Sequence, residues 1–297
     1  MRLKVHANRE TYQGPKLTEA FQDDDRRIRF YHGDCFEILD RLILREPASF
    51  DMIFTDPPYF LSNGGITCVS GRMVKVDKGD WDKSKGHELN HEFNKGWLGR
   101  CRALLKPNGT IWVSGTHHVI FSVGFAMQEL GFKILNHIIW EKPNPPPNLS
   151  CRYFTHSTES IIWGARDQKS KHTFNYEEMR RANNGKQMKS VWRMGPEVLG
   201  TSADIWTLPA AGRGEKVFGK HPTQKPVALV ERCLIAASNR GDNVLDPFMG
   251  SGTSAVACAT TGRRFAGIES AIEHFELAKK RLSSSVEHMK THENQKY

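Results

Sequence analysis

The chain has 297 residues, enough for one large α/β domain with an insertion or for two average domains. Apolar residues make up 38% of the chain and charged residues 25%, and no apolar run approaches the roughly 18 residues that a membrane span needs. Lysine and arginine number 42 against 33 acidic residues, and the resulting formal charge of +9 favours a polyanionic partner such as a nucleic acid. The composition predicts a soluble globular protein and excludes a membrane-spanning one.

The cysteines, the histidines and the N-terminal residues narrow the class further. The six cysteines contain no C-x-x-C pair, so neither a disulfide framework nor a cysteine-based zinc site is expected. The 13 histidines show no H-E-x-x-H or comparable spacing, and no metal is expected. The first residues lack the apolar core of a signal peptide, which predicts a cytoplasmic protein. Residues 1–25 are polar and are expected to form an irregular arm.

Strands and helices alternate through the first half of the chain. A short strand closes on Gly33-Asp34, an amphipathic helix follows, and the apolar strand DMIFT stops at a double proline, which cannot continue a strand ladder. Residues 60–86 are rich in Gly, Ser, Lys and Asp without a sustained period, which predicts a long mobile loop. The next predicted elements are a helix over 88–105, a strand over 110–115, a helix over 117–130, and strands over 134–142 and 159–165.

The alternation fails between residues 166 and 220 and then resumes. The interrupted stretch carries scattered aromatic residues, several glycines and many cations. The elements predicted beyond it are a helix over 226–238, the strand NVLDPF, a helix over 253–261, the strand RFAGIE, a helix over 271–282 and a polar tail that frays. Strands that alternate with helices of this length predict a mainly parallel sheet covered on both faces.

A glycine-rich string, DPFMGSGT, spans Asp246 to Thr253 at a predicted strand-to-helix junction. Glycines there allow a ligand to approach the backbone closely, and the helix that follows offers free N–H groups. Glu269 ends the next strand, where a carboxylate can accept hydrogen bonds from ribose hydroxyls. These features predict a site for an adenosine-type cofactor. The string also matches G-x-G-x-x-A from Gly250, so an NAD-dependent oxidoreductase remains an alternative.

A second motif, TDPPY, spans Thr55 to Tyr59 at the end of its strand. It offers a carboxylate at Asp56, a backbone carbonyl at Pro57 outside any ladder, and an aromatic face at Tyr59. Two acceptors that draw on both hydrogens of a planar NH2 group would localise the nitrogen lone pair and make the nitrogen nucleophilic. The aromatic ring can stack on a base that has been flipped out of its duplex. This combination is typical of a site that holds an exocyclic amino group.

With these two motifs the sequence resembles the amino-group DNA methyltransferases. TDPPY is similar to their catalytic motif and DPFMGSGT with GIE to their S-adenosylmethionine motif, and the catalytic motif comes first, as in the β group. The stretches DPPYFLSNGGI, VDKGDWDK, NLSCRYFTHSTE and GKHPTQKP most resemble the DpnA type. The resemblance runs from about Phe30 to Leu282. It implies an α/β fold with a seven-stranded, circularly permuted class I S-adenosylmethionine-dependent methyltransferase sheet. The implied division is a catalytic half over 26–164, a target-recognition insertion over 165–219, a cofactor half over 220–282 and a polar tail over 283–297.

The resemblance also implies roles for individual residues. Asp56 and Pro57 would accept hydrogen bonds from the target amino group, Pro58 belongs to the same motif, and Tyr59 would stack on the base. The implied cofactor contacts are Asp34, Cys35, Thr223, Gln224, Lys225, Asp246, Phe248, Gly250, Ser251, Gly252, Thr253 and Glu269. Asp34 fits a helix N-cap equally well. Lys225 would meet a carboxylate, and the alternative for this residue is a basic turn before a helix that starts at Pro226.

The positive charge is concentrated in the interrupted stretch. Residues 165–225 hold 12 Lys or Arg and 6 Asp or Glu, and the difference, +6, is two-thirds of the chain's net charge. Cations among aromatic and amide side chains suit phosphate contacts and base reading, although a solvated basic face is the alternative. The expected DNA contacts are Arg180, Arg181, Lys186, Lys189 and Arg193.

These observations predict a site-specific adenine-N6 DNA methyltransferase of a restriction–modification system, with GATC as the site that the DpnA resemblance implies. In the family that the sequence resembles, Asp rather than Ser at position 56 favours adenine, and cytosine-N4 methylation is the nearest alternative. An enzyme that methylates a protein glutamine or an RNA base, and a non-catalytic DNA-binding protein, are further alternatives. The expected cofactor is S-adenosylmethionine. The expected partners are DNA, a cognate restriction endonuclease and a second copy of the chain.

Overall fold

A computed structural model describes residues 21–23, 27–62, 66–69, 72–75, 82–142, 145, 147–148, 150–193 and 224–294. The strands are β1 (Phe21–Asp23), β2 (Ile28–His32), β3 (Phe50–Thr55), β4 (Ile66–Val69), β5 (Arg72–Lys75), β6 (Leu105–Gly115), β7 (Lys133–Glu141), β8 (Thr158–Ala165), β9 (Val191–Arg193), β10 (Asn243–Asp246) and β11 (Arg264–Glu269). The helices are α1 (Cys35–Arg45), α2 (His87–Leu104), α3 (Ile120–Glu129), α4 (Tyr176–Ala182), α5 (Val227–Ala237), α6 (Thr253–Thr261) and α7 (Ile272–Asn294). None of these described helices combines the length and the apolar composition that crossing a membrane requires.

One sheet contains nine of the described strands, in the order β1-β2-β11-β10-β3-β6-β8-β7-β9. The strands from β2 to β6 in this order run parallel, and β8 is antiparallel to both of its neighbours. The glycine motif follows β10, which comes from the C-terminal part of the chain and pairs with β3 from the N-terminal part. The central seven strands therefore have the permuted order that the sequence predicts, and β1 and β9 add an edge strand on each side.

Helices cover both faces of the sheet because the strands are apolar on both sides. In β3, Met52 and Phe54 pack in the cluster with α5, α6 and α7, and Ile53 between them packs with α1, α2 and α3. This alternation follows from the two-residue period of a strand. The arrangement matches the predicted sheet with helices on both faces, and it leaves the strand ends free to form a site.

Three segments that the sequence predicts to be irregular contain regular structure. Residues 21–23 of the expected arm pair with β2, because Phe21 packs on Phe30 with 5.1 Å between ring centroids. Within the expected loop 60–86, β4 and β5 form an antiparallel hairpin. The last helix does not end near Leu282 but continues to Asn294, and Val286 in the expected polar tail is buried in the core. The prediction of irregular structure was wrong at these three places.

The first part of the expected insertion packs against the body of the protein. Met179 of α4 and Trp192 of β9 are buried in the same cluster as α5, and β9 pairs in parallel with β7. Residue 165 therefore does not mark a packing boundary, because two large side chains anchor the following segment. Residues 194–223, the rest of the expected insertion, lie outside the described residues.

Candidate active site

The carboxyl ends of three parallel strands open into one cavity of about 640 Å3. β3 ends at Thr55, β10 at Asp246 and β11 at Glu269, and this end of an open α/β sheet is where ligands bind. The expected site residues that line the cavity are Asp34, Cys35, Asp56, Pro57, Pro58, Tyr59, Gln224, Lys225, Asp246, Phe248, Gly250, Ser251, Thr253 and Glu269. Gly252 is not part of the lining, and Thr223 lies outside the described residues. The fold thus brings both sequence motifs to one cavity.

The carboxylate of Asp56 is the centre of a buried polar cluster. Its Oδ1 accepts hydrogen bonds from the Tyr59 hydroxyl and from Ser114 Oγ, the latter at 2.5 Å, and its Oδ2 accepts one from Lys225 Nζ at 2.6 Å. A carboxylate has about four acceptor positions, so Oδ2 retains one for a further N–H group. Among the described residues, nothing donates a hydrogen bond to the carbonyl oxygen of Pro57. Two acceptors are therefore available side by side at the end of β3.

Burial and neighbouring charges determine the protonation of this cluster. Burial, together with the negative charge of Asp56, raises the pKa of the Tyr59 hydroxyl well above its usual value, so the hydroxyl stays a donor. Burial would lower the pKa of Lys225, but attraction to Asp56 and Glu159 outweighs it and holds the pKa well above the usual value. Burial would raise the pKa of Glu159, but Lys225 and Lys142 hold it below its usual value. Lys225 and Glu159 are therefore both charged at neutral pH.

Lys225 lines the cavity and meets a carboxylate, as the resemblance implies, and that carboxylate belongs to TDPPY. Its ammonium pairs with Asp56 in the amino-holding motif, and its side chain is only 6% exposed. The reason is topological: Lys225 lies two residues before the start of α5, which packs against β3, so the side chain reaches the end of β3. Ser114 on β6 and Glu159 on β8 complete the cluster. Neither residue was identified from the sequence, because both come from strands far from TDPPY along the chain.

A further missed residue, Asp82, fixes the loop after the double proline. Asp82 is fully buried. Its carboxylate accepts hydrogen bonds from the backbone N–H groups of Tyr59, Phe60 and Leu61 at 2.7–3.1 Å, and from Ser62 Oγ at 3.0 Å. Phe60 has a φ of +59°, an unfavourable conformation for a bulky residue. The four hydrogen bonds hold this turn in place, so the start of the expected mobile loop is anchored.

Glu269 lines the cavity and is hydrogen-bonded directly to the glycine turn. Its Oε2 accepts a hydrogen bond from the backbone N–H of Gly250 at 3.0 Å, and its Oε1 accepts one from Ala271 at 2.7 Å. Burial raises the pKa of Glu269 above its usual value. Each oxygen still has a free acceptor position. The carboxylate is thus held rigidly with its remaining lone pairs available to hydroxyl groups.

Asp246 supports the glycine turn from inside. Its Oδ1 accepts a hydrogen bond from the backbone N–H of Phe248 at 3.0 Å, and its Oδ2 accepts one from Ser254 Oγ at 2.6 Å. Burial raises the pKa of Asp246 to about 7, from an ordinary value of 3.8. The carboxyl group therefore orders the backbone that lines the cavity.

The other residues of the glycine string are held by α7. Gly252 has a φ of +76°, and a Cβ atom there would lie 2.8 Å from the Cβ of Ala278 on α7, so glycine is required. Arg281 on α7 donates hydrogen bonds to Ser251 Oγ at 2.8 Å and to Thr253 Oγ1 at 3.0 Å. The hydroxyls of Ser251 and Thr253 thus stabilise the turn itself, although both residues line the cavity.

Where α2 borders the cavity, the lining is aromatic. Phe93 of α2 lies 6.1 Å from Phe248 and 5.7 Å from Phe60 between ring centroids. Asp34 lines this end of the cavity and also caps α1, because its Oδ1 accepts hydrogen bonds from the N–H groups of Phe36 and Glu37 at 2.9 and 3.1 Å. Both interpretations of Asp34 from the sequence are therefore compatible with its position.

The expected DNA contacts lie on and beyond α4. Arg181, Lys186 and Lys189 are exposed, whereas Arg180 is half-buried and donates a hydrogen bond to the carbonyl of Gly185 at 2.9 Å. The side chain of Arg193 lies outside the described residues. These cations remain a prediction as DNA contacts.

A second exposed segment, residues 150–156, lies at the same edge of the sheet as Asp56. Its end is fixed because His156 stacks on His117 with 4.2 Å between ring centroids, just beyond β6, the strand that carries Ser114. Phe154 in this segment is 96% exposed. The sequence gives no signal for an exposed aromatic side chain at this edge of the sheet, since exposure depends on the tertiary fold.

Comparisons with known proteins show the family of the chain. The family model described as DNA methylase, which covers N6 and N4 methyltransferases, matches residues 50–280. The type II methyltransferase M2.LlaDCHI of Lactococcus lactis subsp. cremoris is 49% identical over 277 residues, which cover 93% of this chain and 96% of that protein. The type II methyltransferase M2.DpnII of Streptococcus pneumoniae is 48% identical over 281 residues, covering 94% of this chain and 98% of that protein.

Solved structures share the fold. A complex of M1.HpyAVI with S-adenosylmethionine superposes with a TM-score of 0.63 at 30% identity, covering 86% of this chain and 98% of that one. The PvuII cytosine-N4-specific DNA methyltransferase also gives a TM-score of 0.63, at 18% identity, covering 89% and 88%. The similarity to the PvuII enzyme concerns the fold alone. Together they confirm the fold class predicted from the sequence.

Proposed function

The chain belongs to the family of N6 and N4 DNA methylases, and from this membership we propose that it transfers a methyl group from S-adenosylmethionine to the exocyclic amino group of adenine in DNA. The observation that carries the proposal is the single cavity lined by both Asp56 and Glu269. One side of the cavity offers acceptors for an amino group, and the other offers a carboxylate for ribose hydroxyls. A methyl donor and a methyl acceptor can therefore be held in contact.

The residues present fit S-adenosylmethionine. The cavity of about 640 Å3 lies within the range of small-molecule sites. Glu269 keeps free acceptor positions for the ribose hydroxyls, and Gly250 allows the cofactor to approach the backbone closely. Phe93 and Phe248 offer an apolar wall for an adenine ring. When bound, this cofactor supplies an electrophilic methyl group. M1.HpyAVI, which shares the fold, forms a complex with the same cofactor.

The amino-holding residues prepare the acceptor nitrogen. The free acceptor position of Asp56 Oδ2 and the carbonyl of Pro57 would take the two hydrogens of the amino group. Its nitrogen lone pair would then be drawn out of conjugation with the ring. Ser114 and Tyr59 fix Asp56 Oδ1, so the carboxylate is positioned before the base arrives. Positioning of this kind is a major source of catalysis without a covalent enzyme intermediate.

Asp56→Ala tests this assignment. The variant is expected to lose at least 1,000-fold in methyl transfer to DNA, because it removes one of two acceptors and leaves the Lys225 ammonium unpaired on that side. Its affinity for S-adenosylmethionine, measured by calorimetry, should stay within about threefold, since Glu269 and the glycine turn are untouched. Asp40→Asn, which alters an exposed ion pair with Arg100, is the control and should transfer methyl groups at the normal rate. Substantial turnover by Asp56→Ala would refute the assignment.

DNA is the substrate in this proposal, and the exposed cations on and beyond α4 are its expected phosphate contacts. Replacing Arg181, Lys186 and Lys189 by Gln should lower DNA affinity and reduce the slope of log affinity against log salt by about 0.9 for each lost phosphate contact. Lys280→Gln, at an exposed position on α7, is the control. An unchanged salt slope in the triple variant would mean that these cations form a solvated face only.

We further propose that the enzyme works in the cytoplasm as part of a type II restriction–modification system, alongside a cognate endonuclease. The relatives named type II methyltransferases support this context. GATC is the proposed recognition site, supported by the resemblance to the DpnA type, and a homodimer is the proposed assembly. Mapping methylated positions in DNA from a host without its own methylation tests the site, and light scattering tests the assembly.

A further inference from the structure

Lys225 lies between two carboxylates, and the function proposed above involves only one of them. Its Nζ is 2.6 Å from Asp56 Oδ2 and 3.5 Å from Glu159 Oε2. Both Lys225 and Glu159 are buried. Glu159 lies on β8, two strands away from the strand that precedes Asp56, and it does not line the cavity. It therefore does not contact a substrate in the cavity directly.

The two oxygens of Glu159 are used unequally. Its Oε1 accepts a hydrogen bond from Lys142. Its Oε2 is buried and accepts no hydrogen bond from the described residues, although the Lys225 ammonium is within ion-pair distance. A buried acceptor whose nearby donor lies as far away as 3.5 Å is poorly satisfied, so this long contact needs an explanation.

The proposed reaction gives one. The target amino group must bind Asp56, whose Oδ2 already carries the Lys225 ammonium. An ammonium that moves away from Asp56 while buried needs another anion, because an unpaired buried charge is strongly unfavourable. Glu159 Oε2 is the carboxylate oxygen nearest to it that has no hydrogen bond.

We propose that Glu159 is a positioning residue that takes the Lys225 ammonium when the target amino group binds Asp56. This inference rests on the proposed function. Lys225 bridges Asp56 and Tyr59 before the base arrives. Its ammonium shifts toward Glu159 as the amino group binds the remaining acceptor position of Oδ2, so that it competes less with the base for this oxygen. The ammonium is paired with a carboxylate at each stage, and no proton or bond is transferred in the movement. Lys142 keeps Glu159 oriented through the other oxygen.

Glu159→Gln tests the inference, since glutamine keeps the shape and removes the charge. With saturating S-adenosylmethionine and DNA, the single-turnover rate of methyl transfer should fall 10- to 100-fold, because Lys225 stays on Asp56. The dissociation constants for both ligands should stay within about threefold of wild type. Glu276→Gln, in an exposed pair with Lys279 on α7, is the matched control and should keep the wild-type rate.

Two further variants separate positioning from a merely structural role. In a Lys225→Met background, Glu159→Gln should change the residual rate less than twofold, because Glu159 acts through Lys225. Glu159→Asp keeps the charge and should retain at least a third of the wild-type rate. This variant also tests the inference if Glu159→Gln does not fold. Three results would overturn the inference. Glu159→Gln could transfer methyl groups at the wild-type rate, it could lower the rate by the same factor in the wild-type and Lys225→Met backgrounds, or Glu159→Asp could lower the rate as much as Glu159→Gln. If the wild-type chain transfers no methyl group to DNA, the proposed function fails, whereas failure of the variants alone overturns only the role of Glu159.

Discussion

Asp82→Asn should weaken both the fold and the reaction, because Asp82 anchors the loop that carries Tyr59. In the wild-type chain, Asp82 accepts three backbone N–H groups and the Ser62 hydroxyl. With its amide oxygen in the position of Oδ1, Asn keeps the bonds from Tyr59 and Phe60. Its NH2 group would then face the Leu61 N–H, which loses its acceptor, while the Ser62 hydroxyl can turn to accept.

The magnitude follows from this count. One buried N–H group is left without an acceptor, at about 1–3 kcal/mol, and the remaining bonds lose their charge assistance, which adds roughly 1 kcal/mol. We therefore expect a loss of about 2–4 kcal/mol in the free energy of unfolding, which lowers the melting temperature of a chain of this length by roughly 3–6 °C. Methyl transfer should fall tenfold or more, since the Pro57 carbonyl and the Tyr59 ring lose their fixed positions.

Calorimetric melting and single-turnover methyl transfer measure the two effects. Asp40→Asn is the matched control, because Asp40 lies in an exposed pair with Arg100, and it should change stability by less than about 0.5 kcal/mol. If Asp82→Asn melts and methylates like the wild-type chain, the loop is not held by this carboxylate and the reasoning is refuted.

Three further predictions concern Gly252, Asp246 and Phe154. Gly252→Ala should lower the affinity for S-adenosylmethionine at least tenfold, measured by calorimetry. The new Cβ would lie 2.8 Å from the Cβ of Ala278, and the residue would have to keep a φ of +76°, so the turn would be strained. Unchanged affinity would show that the turn is not strained by this substitution. Asp246 has its pKa raised by burial from 3.8 to about 7, so between these values the folded chain holds a proton that the unfolded chain has released. Its contribution to stability therefore falls by up to about 4 kcal/mol as pH rises from 4 to 7. Asp246→Asn should abolish that fall in urea unfolding, and an identical pH dependence in both proteins would show that the buried carboxyl is not its source. The exposed ring of Phe154 can stack on a DNA base, so Phe154→Ala should weaken DNA binding by about 1–3 kcal/mol, measured by fluorescence anisotropy. Phe121, which is 74% exposed on α3, is the control, and Phe121→Ala should leave DNA binding unchanged. Equal effects of the two substitutions would exclude base stacking by Phe154.

Local patterns in the sequence predict the elements that carry the two motifs. α6 and β11 have the bounds that the apolar pattern and the glycines predict, and the residues of TDPPY and GIE lie where their strands end. These features depend on neighbouring residues, whose spacing can be read directly. The permuted sheet order was expected from the resemblance to the β group of amino-group DNA methyltransferases, in which the catalytic motif comes first.

The rest of the site depends on contacts between distant parts of the chain. Glu159 lies 66 residues before its partner Lys225, and Arg281 lies 30 residues after Ser251. A single carboxylate or guanidinium has no local pattern that identifies its partner, so only the fold brings these residues together. The edge strand β1 and the continuation of α7 were missed for a similar reason, since Phe21 and Val286 become ordered by packing on the core.

The product of the reaction tests the central claim most directly. The chain is expressed in a host without DNA methylation, the host DNA is digested to nucleosides, and the modified nucleosides are identified by mass spectrometry, with Asp56→Ala as the control. The account predicts N6-methyladenine with the wild-type chain and none with the variant. N4-methylcytosine would contradict the assignment to adenine, and the absence of any methylated nucleoside would contradict the proposed function itself.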